Sequence, residues 1–451
     1  MDGAWDAEAG LLLNPPGSFE EVVEPRSVHL VRETAWYAVG LLLRDGPGDR
    51  SRAEQALHAV LDHQYDAPGT PWHGTFVRFP EWPEPADGAV EWVDYDPNWR
   101  QFVGTTLAVA VTDLDLPGAL AQRARDAVHL AVESEPPDRV PPTYANIALM
   151  RAWLDAWAQR ADDGYAAAVV DAFGEHGAFL EYGSPTYYGV DLLALALWQR
   201  ADSPVSLQRD GAALESALWT DVARWWHAGL GNLCGPYSRA YGMDGHRYVS
   251  GLSLAIRCAG MPAPLPDLEA AEVVHGHDLC KAPLLEHLGL RPPTAVRPAF
   301  ERFGSRRSVH QVISASPRRE ASAWLEEGLM VGAEHGDTDL QARGQFHPAT
   351  AHWRQPDGSV GWLRVEHHGP TRARAEERRL LVDAQAHPRR GARPVRWISN
   401  IVPVEASARR WRFPGLEVEV QTPARLVDEA SLTYDYEGGG TVMELRLHPV
   451  G

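Results

Sequence analysis

The hydrophobic pattern of this chain changes period once, and that change limits the folds open to it. From about residue 27 to 287, apolar residues recur at the three-to-four spacing of an amphipathic helix. Beyond 298 they alternate with polar residues, as in SVHQVISAS, SVGWLRVEHH, LEVEVQT and TVMELRLH. Between the two lies a stretch, 263–298, that is rich in proline and has no period. A stripe that returns every 3.6 residues and one that returns every second residue bury their apolar faces differently, so they belong to different layers. The expected architecture is multidomain α and β: a helical domain over 1–262, a Pro-rich linker over 263–298 and an antiparallel β-sandwich over 299–451. A chain of 451 residues also exceeds the size that one hydrophobic core serves.

The helical runs fall near 27–44, 50–64, 98–112, 117–133, 144–160, 165–175, 187–200, 212–228 and 244–258, split by short Gly, Pro and Asp breakers. Short connections make successive helices antiparallel neighbours. Three connections instead are long, aromatic and polar: 68–98, 181–188 and 235–248. Loops of that kind line binding sites. A solenoid would string them along a surface, whereas an (α/α)n toroid gathers them at one mouth.

Composition removes several functions. A net charge of -19 argues against a nucleic-acid partner. The one Arg-rich strip, Arg372, Arg374, Arg378 and Arg379, is broken by Glu376 and Glu377 and reads as a solvated strand face. The opening MDGAWDAEAG has no basic leader and no apolar run is long enough to span a membrane, so no membrane partner is expected. Cys234, Cys258 and Cys280 show neither metal nor redox spacing, which fits a reducing compartment and a cytoplasmic location. No phosphate loop or dinucleotide fingerprint occurs, so nucleotide chemistry is not expected. A homo-oligomer stays open.

Chemistry-bearing side chains concentrate at helix entrances. The run 181–191, EYGSPTYYGVD, sets Glu181, Tyr182, Tyr187, Tyr188 and Asp191 around a bend before an apolar helix. A tyrosine in a cleft serves as proton donor, or as acceptor beside a cation. In the loop 235–248, Arg239 stands two residues from Tyr241, where it can favour a tyrosinate, clamp a carboxylate, or simply cap Asp244. His73 lies in a Gly-bounded loop beside Trp72, and Trp99 and Arg100 follow a second aromatic run. Flat indole faces suit sugar rings or terpenoid skeletons. Tyr144 and Asn146 open another helix, where Asn146 either donates to a ligand or caps backbone. In the sheet half, Glu334, His335, Gln345, His347, His352, His367 and His368 cluster without a standard metal signature. No cofactor is required, and a structural Zn²⁺ is left open.

The order of helical toroid, Pro-rich connection and sandwich, with the aromatic run 182–195 opening an inner helix, resembles polysaccharide lyases of the heparinase II/III, alginate lyase and chondroitin AC lyase type. That resemblance implies β-elimination from a uronate-containing oligosaccharide. Under it, Asn146 and Arg239 neutralise the uronate carboxylate, His73 or Tyr188 takes the proton, and Tyr188 or Tyr241 protonates the leaving oxygen. Trp72 and Trp99 stack on the substrate, with Arg100, Tyr144, Glu181, Tyr187 and Asp244 binding it. Two alternatives stand beside this one. A glycoside hydrolase would use two carboxylates drawn from Asp94, Asp96, Glu181, Asp191 and Asp244, and an intracellular dehydratase, isomerase or cyclase would act on a small terpenoid-like molecule.

Overall fold

The computed structural model describes residues 1–14, 27–161, 163–268, 273–336 and 344–450. The helices are α1 (Val31–Arg44), α2 (Asp49–Asp62), α3 (Trp99–Asp113), α4 (Gly118–Glu133), α5 (Ala145–Trp157), α6 (Tyr165–Gly174), α7 (Tyr187–Trp198), α8 (Val205–Trp225), α9 (Gly251–Cys258), α10 (Ala282–Leu288) and α11 (Arg297–Glu301).

Their sequences sort them into two layers. Helix α2 buries only Ala53, Ala56, Leu57, Val60 and Leu61 along one stripe beside Asp49, and α4 likewise buries one stripe of Leu, Ala and Val. In α7 every residue is buried, and in α5 every residue from Ala145 to Leu154 is. Helices apolar on one stripe lie outside, and helices apolar all round lie inside. Accordingly α1 packs on α3, α3 on α5, α5 on α7, α7 on α9 and α9 on α10, which returns to α1. Helices α2, α4, α6 and α8 cover this succession from outside. Glycine sets its tightest point, because a Cβ on Gly189 of α7 would lie 2.1 Å from the Gly251 carbonyl of α9. Buried tryptophans fill the layers; Trp198 is fully enclosed and its indole N–H donates to the Leu149 carbonyl at 2.8 Å. Each such side chain contributes about 4–6 kcal/mol of hydrophobic stabilisation.

Several boundaries differ from the sequence reading. The start of the first helical run is a strand, Val28–Leu30, paired with Leu11–Asn14, which in turn pairs with Trp5–Asp6. Helix α9 begins at Gly251, where Ser250 accepts the Ser253 N–H, so the polar stretch from Asp244 is loop. The segment 263–298 is no bare linker in its described part. A 3-10 turn (Gly276–Lys281), α10 and the start of α11 occupy it, and Cys280, Leu284, Leu285 and, just beyond, Phe300 join the helical core. Its prolines were misleading because Pro283 and Pro298 stand in the first turns of α10 and α11, where a missing N–H costs nothing.

In the C-terminal half the described strands form two antiparallel sheets, one of eight strands and one of six. The strand Leu329–Gly336 is buried almost throughout and faces two cores. Met330 joins the core shared with the helices, while Leu329, Val331 and Ala333 join the core between the sheets. The eight-stranded sheet therefore packs on the helical half with one face and on the second sheet with the other. Arg372 and Arg374 alternate with buried Ala373 and Ala375 along Thr371–Glu376, the strand face expected of that strip. Among the described residues no helix is long and apolar enough to cross a membrane.

Candidate functional site

Polar side chains from the N-terminal ends of α3, α5 and α7, and from the loop ahead of α9, meet in one hydrogen-bonded chain. Asn98 donates to the Tyr144 hydroxyl at 3.0 Å and accepts from Arg139 at 2.9 Å. Arg239 donates through Nη1 to Tyr144 at 3.4 Å and to Glu181 at 2.7 Å, and through Nε to Gln345 at 2.8 Å. The other Glu181 oxygen accepts from Asn146 at 2.5 Å. The guanidinium lies over the Tyr187 ring, 4.3 Å from its centroid, and the Tyr187 hydroxyl is 2.7 Å from that of Tyr241. Tyr144, Glu181, Arg239 and Tyr241 are half-buried, so the chain reaches solvent, whereas Asn146 and Tyr187 form its floor.

The electrostatics separate these groups. Burial pushes Tyr187 well above the ordinary phenol range, with Arg239 pulling the other way, so Tyr187 stays protonated. Burial also raises Tyr144. Burial works against the charge on Arg239, yet the ring face of Tyr187 and the Glu181 carboxylate hold its guanidinium firmly protonated. Asp191 is completely enclosed on α7, and burial, with Glu181 as a charged neighbour, pushes its carboxyl well above the ordinary carboxylate range.

Of the twelve positions singled out in the sequence, this cluster unites Tyr144, Asn146, Glu181, Tyr187, Arg239 and Tyr241. The other six serve elsewhere. Tyr188 is buried, its hydroxyl accepts the Gly183 N–H at 2.9 Å, and its ring packs edge-on against Tyr182. Tyr187, one position earlier and about 100° around α7, points where Tyr188 was expected to. The His73 ring accepts the Ala67 N–H at 3.1 Å within its own loop. Arg100 is enclosed and knits that loop through the carbonyls of Pro71, His73 and Pro97. Trp72 packs on Tyr95, and Trp99 lies beneath the Arg32 guanidinium. Asp244 binds Asn232 and His246 rather than Arg239.

The sheet half braces the cluster. Gln345 comes from it, and the loop that carries Arg239 pairs with it, Tyr237 against His347 and Ala240 N–H on the Gln345 carbonyl. Deeper in, Arg319 donates to Glu334 at 2.8 Å, to the Ser238 hydroxyl at 2.8 Å and to the Leu180 carbonyl at 3.0 Å. Glu334, grouped in the sequence with residues of metal-ligating type, is a salt-bridge partner of Arg319. His347 bonds Arg364, His352 bonds the Met243 carbonyl, and His367 bonds Thr371 and Tyr436. Among the described residues these three histidines do not gather into a cluster of metal-ligating type.

Sequence reading missed the 3-10 turn before α10. His275 stacks on Tyr241, 4.8 Å between centroids, and lies 5.1 Å from His277. His275, His277 and Asp278 are the one trio of metal-ligating type found close together among the described residues. Burial works against the Asp278 charge, but Lys281 at 3.1 Å and the two imidazoles hold it well below the usual range. A sequence signal existed in the run His-Gly-His-Asp, which lay inside the stretch taken for a linker. A cleft of about 540 Å³ lies away from this cluster, lined by His227, Phe303, Arg306, Arg354 and Arg378 among others.

The chain belongs to the family described as Domain of unknown function (DUF8769), whose model matches residues 1–288. A second model, Domain of unknown function (DUF8770), matches residues 301–447. The two models meet between α10 and the first strand of the eight-stranded sheet. No curated protein matches the chain.

Proposed function

We propose that the chain is a lyase acting by β-elimination on a uronate-containing oligosaccharide, on an (α/α) toroid whose mouth is the Arg239 cluster. The closed succession of α1, α3, α5, α7, α9 and α10 supports the toroid reading. The observation that carries the chemistry is the hydroxyl pair of Tyr241 and Tyr187 beside Arg239. Elimination requires a group that neutralises the carboxylate, a base for the adjacent carbon-bound proton and an acid for the leaving oxygen.

Arg239 spends Nε and Nη1 on Gln345, Glu181 and Tyr144, while Nη2 makes no hydrogen bond within the described chain and is the donor for a substrate carboxylate. The N-terminal ends of α3, α5 and α7 add their partial positive charge at the same place. Tyr241, half-buried, is the proton-transfer group: as tyrosinate it takes the carbon-bound proton, and it returns that proton to the leaving oxygen as the carbon–oxygen bond breaks. Tyr187, kept protonated by burial, donates to the Tyr241 oxygen and favours negative charge there. Asn146 and Glu181 hold the guanidinium in position.

A hydrolase would need a second carboxylate facing Glu181. Asp94 and Asp96 accept from their own loop, Asp244 from Asn232, and Asp191 is completely enclosed, out of a substrate's reach. The terpenoid reading loses its aromatic platform, because Trp72 and Trp99 are packed internally.

Incubation with a panel of uronate-containing oligosaccharides tests the proposal. Ultraviolet absorbance from an unsaturated uronate product supports it; new reducing ends without that absorbance would replace it with hydrolysis.

A further inference from the structure

We infer that His275, His277 and Asp278 form a binding site for a divalent transition-metal ion, Zn²⁺ by its donor chemistry. One ring nitrogen from each histidine and one Asp278 oxygen lie within 4.8 Å of one another, and all three side chains are buried. Two imidazoles and a carboxylate are a donor set that zinc takes, and the edge of its coordination tetrahedron is roughly 3.4 Å. Shifts of well under a residue's width bring the trio to that spacing.

Three independent features point the same way. His275 Nε2 is enclosed and has no hydrogen-bond partner, an unfavourable state for a buried nitrogen unless a ligand engages it. The His275 backbone sits in the left-handed region at φ 56°, an uncommon conformation for a residue that carries a Cβ. Asp278 gives Oδ2 to Lys281 at 3.1 Å, with His275 Nδ1 3.8 Å from that same oxygen, and turns Oδ1 toward His277 Nε2 at 3.8 Å, so one carboxylate bridges the two imidazoles.

A further carboxylate, outside the trio, is charge-coupled to His277 and Asp278. Glu33, on the first turn of α1, is completely enclosed; Arg32 holds its Oε1 at 2.5 Å and Oε2 has no hydrogen-bond partner. Arg32 and Lys281 already balance Glu33 and Asp278. A divalent ion therefore leaves net positive charge directly behind His275, the ring on which Tyr241 stacks. The ion fixes that ring, and through it Tyr241. The site stands on its own geometry and does not depend on the lyase reading.

The test is metal content, which turnover does not influence. The full chain, carrying no polyhistidine tag, is stripped with chelator, exposed to ZnCl₂, desalted and analysed for zinc. About one zinc per chain is expected, together with a higher thermal midpoint when zinc is added to the stripped protein. His275→Gln and Asp278→Asn are expected to weaken zinc retention tenfold or more, while His367→Gln in the sheets keeps it. If these variants do not fold, CoCl₂ titration of the unaltered protein gives the same answer, an intense visible spectrum marking a tetrahedral nitrogen and oxygen site. Wild-type protein that retains no zinc and gives no such spectrum overturns the inference, and Lys281 is then the cation the trio serves. Equal zinc retention by His275→Gln overturns it as well.

Discussion

The hydroxyls of Tyr187 and Tyr241 lie 2.7 Å apart although 54 residues separate them in the chain. One tyrosine is enclosed on the first turn of α7, and the other is half-exposed on the loop before α9. In the proposed elimination the pair divides its roles, the enclosed hydroxyl donating and the half-buried one exchanging protons with the substrate. Tyr241→Phe is expected to lower kcat by about 10²–10⁴-fold, the usual contribution of a positioned acid or base, with KM little changed. Tyr188→Phe removes the acceptor of the Gly183 N–H and is expected to cost about 1 kcal/mol of stability with turnover kept. Steady-state kinetics on the elimination product, with thermal unfolding of both variants, checks the contrast; equal loss of kcat in both would remove the division of roles.

Arg319 touches the cluster only through others. It anchors Leu180 and Ser238, the residues next to Glu181 and Arg239, and its charge partner Glu334 is as enclosed as it is. Arg319→Met leaves a buried carboxylate unpaired, at a cost of about 3–5 kcal/mol. Arg319→Met combined with Glu334→Leu is expected to recover most of that stability, since an apolar pair replaces the ion pair. Positioning of Glu181 and Arg239 stays lost, so kcat is expected to remain low in the recovered double variant. Full recovery of both would make Arg319 a stability residue alone.

These two cases mark what sequence pattern discloses. Helix and sheet periods carry through because burial of a stripe or a face is a local property of composition, as α2 and Thr371–Glu376 illustrate. The tyrosine run before α7 was legible too, but not which ring faces the mouth, because Tyr187 and Tyr188 are adjacent and only packing against α9 and the 235–248 loop separates them. Arg239 was legible as a cleft cation, whereas its partner Glu181 required the fold. The strand Arg318–Glu326 escaped notice since its inward positions include small alanines, Ala321 and Ala323. His275 and His277 were hidden by prolines that open helices rather than loosen the chain.

Stability is expected to fall as pH drops from about 7 to 5. Burial holds His227 and His352 at about 4, against 6.5 when exposed. Between those values the unfolded chain binds more protons, so the stabilisation present above 6.5 is lost on descending toward 4. Each histidine withdraws about 2 kcal/mol by pH 5. Asp221, pushed up to about 6 by burial, acts in the opposite sense, its contribution present at low pH and lost as pH rises through 6. Asp191, also raised by burial, acts with Asp221, while His367, held at about 4, and His347, lowered by burial, act with the first two histidines, and the histidines together outweigh the two acids. Denaturant unfolding across this range is expected to show the decline, and His352→Gln to make it shallower by close to one proton. An unchanged slope in His352→Gln would remove this histidine as a cause.

The loop that bears Arg239 and Tyr241 is clamped where two glycines admit it. A Cβ on Gly332 would sit 1.7 Å from the Gly235 carbonyl, and one on Gly183, at φ 67°, 2.2 Å from the Pro236 carbonyl. Gly332 lies on the face of its strand that carries Met330 and Glu334, the face turned to the helices, so its missing side chain is what lets the loop lie against the sheet. Gly332→Ala must push either the strand or the loop aside, and the strand is paired on both edges. The loop is therefore the part that moves. An expected loss of about 2–3 kcal/mol follows from overpacking, and Tyr241 is displaced from Tyr187 with it. Proteolysis should then cut within 235–248 faster than in the unaltered chain, while the sheets stay resistant. Unchanged cleavage and an unchanged thermal midpoint would mean that the loop does not rest on this strand.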